Sequence, residues 1–238
     1  MNPYNDRESK TAQVRDMFDS IARRYDLLNR MMTLGIDLSW RRKVVGAVKK
    51  SGARDILDAA TGTGDVAVML AKGIEGARIT GIDLSPRMLE IGRAKASEAG
   101  LDGRIEMIEA DAARLPFPDA SFDAATAAFG VRNFEDIPAG MAEIRRVLKP
   151  EGSLFVLELG MPRNKIFSLF FRFYFRGILP VVGRVVSRDK KAYTYLPASV
   201  GEFPYGEPFV QILRETGFQK CTAKNLFGGV AQIYIAKK

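Results

Sequence analysis

Histidine is absent from all 238 residues. That excludes a Ser-His-Asp triad, an imidazole general base and the commonest metal ligand of proteins. Any chemistry must run on carboxylates, Tyr, Arg, Lys, polar groups or a bound cofactor. There is a single cysteine, Cys221, so no internal disulfide can form. The opening residues, MNPYNDRESKTAQ, lack the apolar stretch of a secretory signal, and the cytoplasm is the expected location. No repeat, low-complexity tract or Pro/Gly/Ser linker interrupts the chain, which reads as one domain.

What is present suits a globular protein. Apolar residues make up 47% and charged residues 27%, enough for a sizeable core. The formal charge of +8 is concentrated in one window. Between Met161 and Lys191 stand Arg163, Lys165, Arg172, Arg176, Arg184, Arg188, Lys190 and Lys191 against one acid, Asp189. The remainder is close to neutral, which argues against a broad nucleic-acid-binding surface.

Apolar spacing predicts an amphipathic helix over 14–32, then a basic aromatic knot, Trp40-Arg41-Arg42, and a further short helix. From residue 54 short apolar runs alternate with helical stretches. Strands are predicted at Ile56–Ala59, Ile79–Asp83, Ile105–Ile108, Phe122–Ala128 and Ser153–Leu159, with helices near 65–73, 86–99, 136–147 and 205–216. Runs at Phe218–Ala223 and Val230–Ile235 read as a closing strand pair. Such alternation predicts an α/β, Rossmann-like fold with a mainly parallel seven-stranded sheet and helices on both faces. Within one domain we expect a helical cap (1–50), a core (51–160), an aromatic and basic insertion (161–200) and a closing helix and strand pair (201–238).

The first strand runs into Asp58-Ala59-Ala60-Thr61-Gly62-Thr63-Gly64-Asp65 and then a helix. Gly62, Gly64 and Ala67 meet a loose G-x-G-x-x-G/A pattern, and Asp83 follows at the end of the second strand. A dinucleotide site would share these features. The flanking acids weigh against it. Asp58 and Asp65 bracket the helix start, and carboxylates within ~6 Å of a pyrophosphate would repel it. They suit a ligand carrying an ammonium and a sulfonium, as S-adenosylmethionine does, with Asp83 left for its ribose and Asp111 after the third strand for its adenine. Asp65 has an alternative role as a helix N-cap. The runner-up is an NAD-dependent oxidoreductase.

Several further segments, Met17 to Asn29 (MFDSIARRYDLLN), Trp40-Arg41-Arg42, Leu115-Pro116-Phe117, Phe129-Gly130-Val131-Arg132-Asn133, Arg146 to Pro150 and Tyr193 to Ser199, resemble the ubiquinone/menaquinone biosynthesis C-methyltransferases over nearly the full length. The resemblance implies the class I S-adenosylmethionine-dependent methyltransferase fold and C-methylation of a prenylated quinol. Demethylmenaquinol is the leading substrate and a ubiquinone precursor the alternative. It places the cofactor on Thr63, Asp83, Asp111 and Ala112. With the loop residues this gives Asp58, Gly62, Thr63, Gly64, Asp83, Leu84, Asp111, Ala112 and Ala128 as candidate contacts. Ala128 stands where relatives often have serine, so only a backbone contact is expected there. Glu151 replaces the first of two usual glycines.

Methylating a ring carbon requires a neighbouring hydroxyl to ionise. Arg132 is the candidate to stabilise the phenolate, with Asn133 on a ring oxygen. Alternatively Arg132 pairs with a carboxylate such as Asp136 and only fixes its loop. Tyr25, Asn29 and Tyr195 are candidate pocket residues. Residues 166–176 hold five phenylalanines among arginines. That density is too interrupted for a membrane span of ~20 apolar residues, and suits a prenyl tunnel or a membrane-surface helix. The expected partners are a polyprenylated quinol and the inner face of the membrane, with a homodimer left open and neither metal nor nucleic acid expected. A basic membrane-binding module would not explain the strand-end acids, and an RNA methyltransferase would show a broader basic surface.

Overall fold

The computed structural model describes residues 3, 4, 8–160, 195 and 198–238. The basic window 161–191 therefore lies outside the described residues. Strands β1 (Asp55–Ala59), β2 (Arg78–Asp83), β3 (Ile105–Glu109), β4 (Phe122–Ala128), β5 (Leu148–Leu159), β6 (Gln219–Leu226) and β7 (Ala231–Lys237) form one seven-stranded sheet in the order β3-β2-β1-β4-β5-β7-β6. The β1–β2, β2–β3, β1–β4 and β4–β5 pairs are parallel, whereas β7 runs antiparallel to β5 and β6. The Rossmann-like, mainly parallel sheet read from the alternation is the one observed.

Both faces of this sheet are covered, which is why its inner strands are continuous apolar runs. Helices α2 (Asp37–Ser51), α3 (Asp65–Gly73) and α4 (Pro86–Glu98) bury Val44, Leu70 and Leu89 against Ile56 and Ile79. Helices α5 (Ile137–Val147) and α6 (Glu207–Glu215) bury Met141, Ile144 and Leu213 against Leu57, Val156 and Tyr234 on the other face. Edge strand β6 is largely exposed and carries Lys220 and Lys224, charges that discourage pairing with another edge.

Local chemistry sets the helix starts. Ser85 caps α4 by accepting from the Met88 amide, and Pro86 opens the helix. Asp136 caps α5 through the Ala139 amide. The first helix, α1 (Lys10–Thr33), is capped by Ser9 and ends on Leu34 in the left-handed region. It begins four residues earlier than the apolar spacing suggested, because Ser9 supplies a cap that hydrophobic periodicity does not register.

The chain steps from β1 outward to β2 and β3, then returns to place β4 on the other side of β1. That reversal opens a crevice at the carboxyl ends of β1 and β4, where ligands bind in open α/β sheets.

Candidate active site

The loop after β1 is held in an unusual shape. Ala60 (φ 52°), Gly62 (φ 57°) and Gly64 (φ 75°) all occupy the left-handed region. At Gly64 the left-handed backbone favours glycine, and a Cβ there would also press on the Met107 methyl at 2.7 Å, which would have to swing aside. Asp83 fixes the turn from β2, accepting from the Gly62 amide at 2.8 Å and the Ser85 amide at 3.0 Å. Asp58 works from behind, its two oxygens each accepting at 2.6 Å from the Thr61 and Thr126 hydroxyls. Burial pushes its carboxyl up to about 6, against the pull of those hydroxyls and of Arg41.

Above the loop opens a cleft with a mostly apolar wall set with carboxylates. Gly62, Asp83, Leu84, Asp111, Ala112, Asn133 and Tyr25 reach its wall. Three carboxylates (Asp83, Asp111 and Glu135) and no lysine or arginine line it among the described residues. Such a wall favours a cationic ligand and disfavours a pyrophosphate.

Other sequence-predicted residues lie off this wall. Asp58 is 1% exposed and braces Thr61 and Thr126. It does not line the cleft. Thr63 is buried and donates to Asp26, while Gly64 is the N-cap of α3 and Ala128 packs on the core. Asp65 sits one residue inside α3 and is not its cap. Burial opposes its ionisation, but Lys95, Arg41 and Arg30 outweigh that and hold its carboxyl below the usual range. Asn29 is half-buried, and its carbonyl accepts from the Thr33 hydroxyl.

The segment 129–133 reaches the same crevice from β4. Gly130 passes so close to the loop that a Cβ would meet the Ala60 Cβ at 2.4 Å. Trp40 and Arg41 both contact Phe129, the indole 6.3 Å from the phenyl ring and the guanidinium over its face at 5.1 Å. Arg132 and Asn133 follow in a 3-10 turn, both nearly buried. Arg132 does not pair with Asp136, which is occupied in capping α5. Its Nη1 instead meets Glu158 at the end of β5, at 2.6 Å. Among the described residues, Arg132 Nε, Asn133 Oδ1 and the Tyr195 hydroxyl are buried without a hydrogen-bond partner. Tyr195 packs with Val14 and Met17 of α1 beside Phe18 and Leu84, two residues of the cleft wall.

Helix α1 closes the cleft. Phe18 and Tyr25 stand on its wall with their rings edge-to-face, 5.8 Å apart. Near the start of the helix, Lys10 donates to the carbonyls of Arg132 and Phe134, and Thr11 donates to Glu135 through its amide and hydroxyl. Toward its other end, Asp26 meets Thr63 and Lys95, and Arg30 meets Asp65. Sequence reasoning missed Asp26, Lys95, Glu135 and Glu158, whose partners lie far away in the chain.

A mainly parallel seven-stranded sheet with an acid-lined crevice at its switch point defines a class I S-adenosylmethionine-dependent methyltransferase. The chain belongs to the ubiE/COQ5 methyltransferase family, which matches residues 6–238. It is 46% identical over 236 residues to the demethylmenaquinone methyltransferase of Deinococcus radiodurans, covering 99% of this chain and 97% of that one. It is 44% identical over 230 residues to the ubiquinone/menaquinone biosynthesis C-methyltransferase UbiE of Citrifermentans bemidjiense, covering 96% and 97%. In three dimensions it is similar to a putative S-adenosylmethionine-dependent methyltransferase from Methanococcus maripaludis, with a TM-score of 0.67 at 20% identity over 93% of this chain and 94% of that one. Its cofactor is S-adenosylmethionine, and the cation-free wall with Asp83 and Asp111 fits that group.

Proposed function

We propose that this chain methylates a ring carbon of demethylmenaquinol to give menaquinol. The observation that carries the reading is the trio of polar atoms unmet among the described residues, Arg132 Nε, Asn133 Oδ1 and Tyr195 hydroxyl, of which Asn133 lines the acid-walled cofactor cleft. A buried polar atom without a partner costs ~1–3 kcal/mol, and a quinol oxygen is a ligand that can satisfy such groups. The near-full-length identity to a demethylmenaquinone methyltransferase supports the same substrate.

The cofactor supplies an electrophilic methyl on a sulfonium. Asp83 and Asp111 would hold it, with Tyr25 and Phe18 of α1 covering it. Arg132 stabilises the negative charge as the quinol hydroxyl ionises, which loads electron density onto the ortho carbon. Asn133 and Tyr195 orient the ring so that this carbon lies on line for displacement. The cofactor would supply the methyl group in exchange for the ring carbon's hydrogen; that carbon's proton would be lost as the oxygen held by Arg132 regains one, so one proton is released overall.

A polyprenyl tail keeps such a quinol in the bilayer, and residues 161–191 suit docking at the inner membrane face and guiding the tail. The support is compositional: basic residues interleaved with phenylalanines. No helix among the described residues is long and apolar enough to cross a membrane.

Mass spectrometry of quinones from cells lacking this protein tests the substrate. Demethylmenaquinone should accumulate, and a normal menaquinone profile would overturn the reading.

A further inference from the structure

Glu158 has no assigned role, yet it is the most completely buried carboxylate next to the reacting residues. It lies at the carboxyl end of β5 and is 0% exposed. Removing a carboxylate from water costs several kcal/mol unless partners replace the water. Its partners are few and specific. Oε1 accepts from Arg132 Nη1 at 2.6 Å and from its neighbour's amide, Leu159 N, at 2.9 Å. Oε2 accepts from the Arg132 backbone amide at 3.2 Å. The carboxylate thus holds one residue by both its main chain and its side chain.

The consequence for Arg132 is directional. Nη1 is occupied twice, by Glu158 and by the Phe129 carbonyl, while Nε stays buried and unpaired among the described residues. A guanidinium is a rigid planar fork, so fixing one nitrogen fixes where the others point. The free Nε lies in the same turn as the unpaired Asn133 Oδ1, and the unpaired Tyr195 hydroxyl feels the charges of both Arg132 and Glu158. Pairing also brings the net charge of the buried site near zero, so an uncharged quinol need not enter beside a bare buried cation.

We propose that Glu158 is a positioning residue for methyl transfer: it clamps Arg132 by Nη1 and backbone amide so that the free edge of the guanidinium meets the ionising quinol oxygen. The proposal rests on the quinol-methylating reading above. A residue that merely held the fold would act on cofactor affinity as well. One that works through Arg132 acts on turnover and not on cofactor affinity, and acts on turnover only while Arg132 is present.

The test is a double-mutant cycle on the full chain, with short-tailed demethylmenaquinol and S-adenosylmethionine at saturation. Glu158→Gln is expected to lower kcat about tenfold or more, as a small misplacement of a transition-state group does. The Kd for S-adenosylmethionine by calorimetry should stay within about twofold, while the melting temperature falls because the buried Arg132 cation loses its partner. In an Arg132→Gln background, adding Glu158→Gln should change kcat by less than about twofold, because coupled residues do not add. Glu158→Asp keeps the charge and withdraws the carboxylate by one methylene. It should fold normally and still lose kcat, so the idea remains exposed should Glu158→Gln misfold. Undiminished kcat in Glu158→Asp and Glu158→Gln would overturn the proposal, as would multiplicative losses in the double variant. If the wild-type chain methylates no quinol at all, the functional reading fails and the clamp with it. A wild-type chain that does so, with additive losses, defeats the clamp alone.

Discussion

Asp26 of α1 accepts a hydrogen bond from the Thr63 hydroxyl at 2.6 Å, across 37 positions of sequence. Lys95 of α4 reaches both Asp26 and Asp65, and donates to Thr63 at 3.0 Å. The glycine loop and the helix covering the cleft are therefore one hydrogen-bonded unit. Cofactor exchange requires that unit to loosen or α1 to move.

Asp26→Ala should therefore speed release of S-adenosylhomocysteine and weaken binding of S-adenosylmethionine. Lys95 and Asp26 are 27% and 32% exposed, so we expect about 1 kcal/mol, roughly fivefold in Kd, and not the full value of a buried charged pair. Stopped-flow dissociation and calorimetry check this. Raising salt should act in the same direction on the wild type and less on the variant.

Asp83 both lines the cleft and holds the Gly62 amide. Asp83→Ala should weaken S-adenosylmethionine binding by ~1.5–3 kcal/mol, the range for hydrogen bonds to a charged acceptor. Calorimetry should show no requirement for metal and no comparable affinity for NAD. Preferential NAD binding would defeat the cofactor assignment.

Asp58 gives a pH prediction with the opposite sign from most acids. Burial raises its carboxyl to about 6 in the folded state, above its ordinary 3.8. The folded chain then holds a proton more tightly than the unfolded chain, so this contribution to stability is full below about pH 4. It is lost as pH rises toward 6. At pH 7 the penalty is on the order of 2–3 kcal/mol from about two pH units. Asp58→Asn should remove most of it, stabilising the protein at pH 7.5 and not at pH 4.5, with cofactor affinity nearly unchanged. Urea melts at the two pH values decide the matter. A less stable variant at pH 7.5 would mean that Thr61, Thr126 and Arg41 require the charge.

The strands and the crevice were legible because they are local. Apolar runs such as Ile56–Ala59 and Phe122–Ala128 declare buried strands, and acids at their ends declare the ligand side of the sheet. What each acid does there was less legible. Asp58 and Asp83 look alike in sequence, yet one turns to two threonines behind the loop and the other to the cleft. Arg132 shows the limit most clearly: Asp136, four residues on, was the obvious partner, but α5 takes Asp136 as its cap and Glu158, 26 residues away, takes the arginine. A signal was present, since a lone carboxylate at the end of the apolar run Leu154–Leu159 is the same clue that singled out Asp58.

Glu151 should be replaceable with profit. It is a non-glycine residue at φ 64°, in a turn where a left-handed conformation costs roughly 1 kcal/mol. Its contact with Lys237, at 3.7 Å, is exposed and worth little. Glu151→Gly relieves the strain and adds some unfolded-state entropy, for a net gain of about 0.5 kcal/mol and about 1–2 °C in melting temperature. At the adjacent Gly152, a Cβ would lie 2.8 Å from the Lys149 carbonyl, so Gly152→Ala should destabilise. Calorimetric scans of both variants should move in opposite directions.

The membrane proposal makes a prediction about the segment outside the described residues. Eight basic residues and one acid fall between Met161 and Lys191, and five phenylalanines fall between Ile166 and Arg176. Anionic lipid attracts each basic side chain near the surface by ~1 kcal/mol, and interfacial aromatics add buried apolar area. Co-sedimentation with anionic liposomes should fall as salt rises, and replacing Arg172 and Arg176 together should lower it further. Activity on a long-tailed quinol should fall in the same variant, whereas a short-tailed, water-soluble analogue meets the enzyme in solution and should be turned over almost normally. If both substrates lose activity equally, the segment serves the fold and does not dock the enzyme on lipid. Binding that ignores salt would point to apolar insertion alone and remove the basic residues from the account.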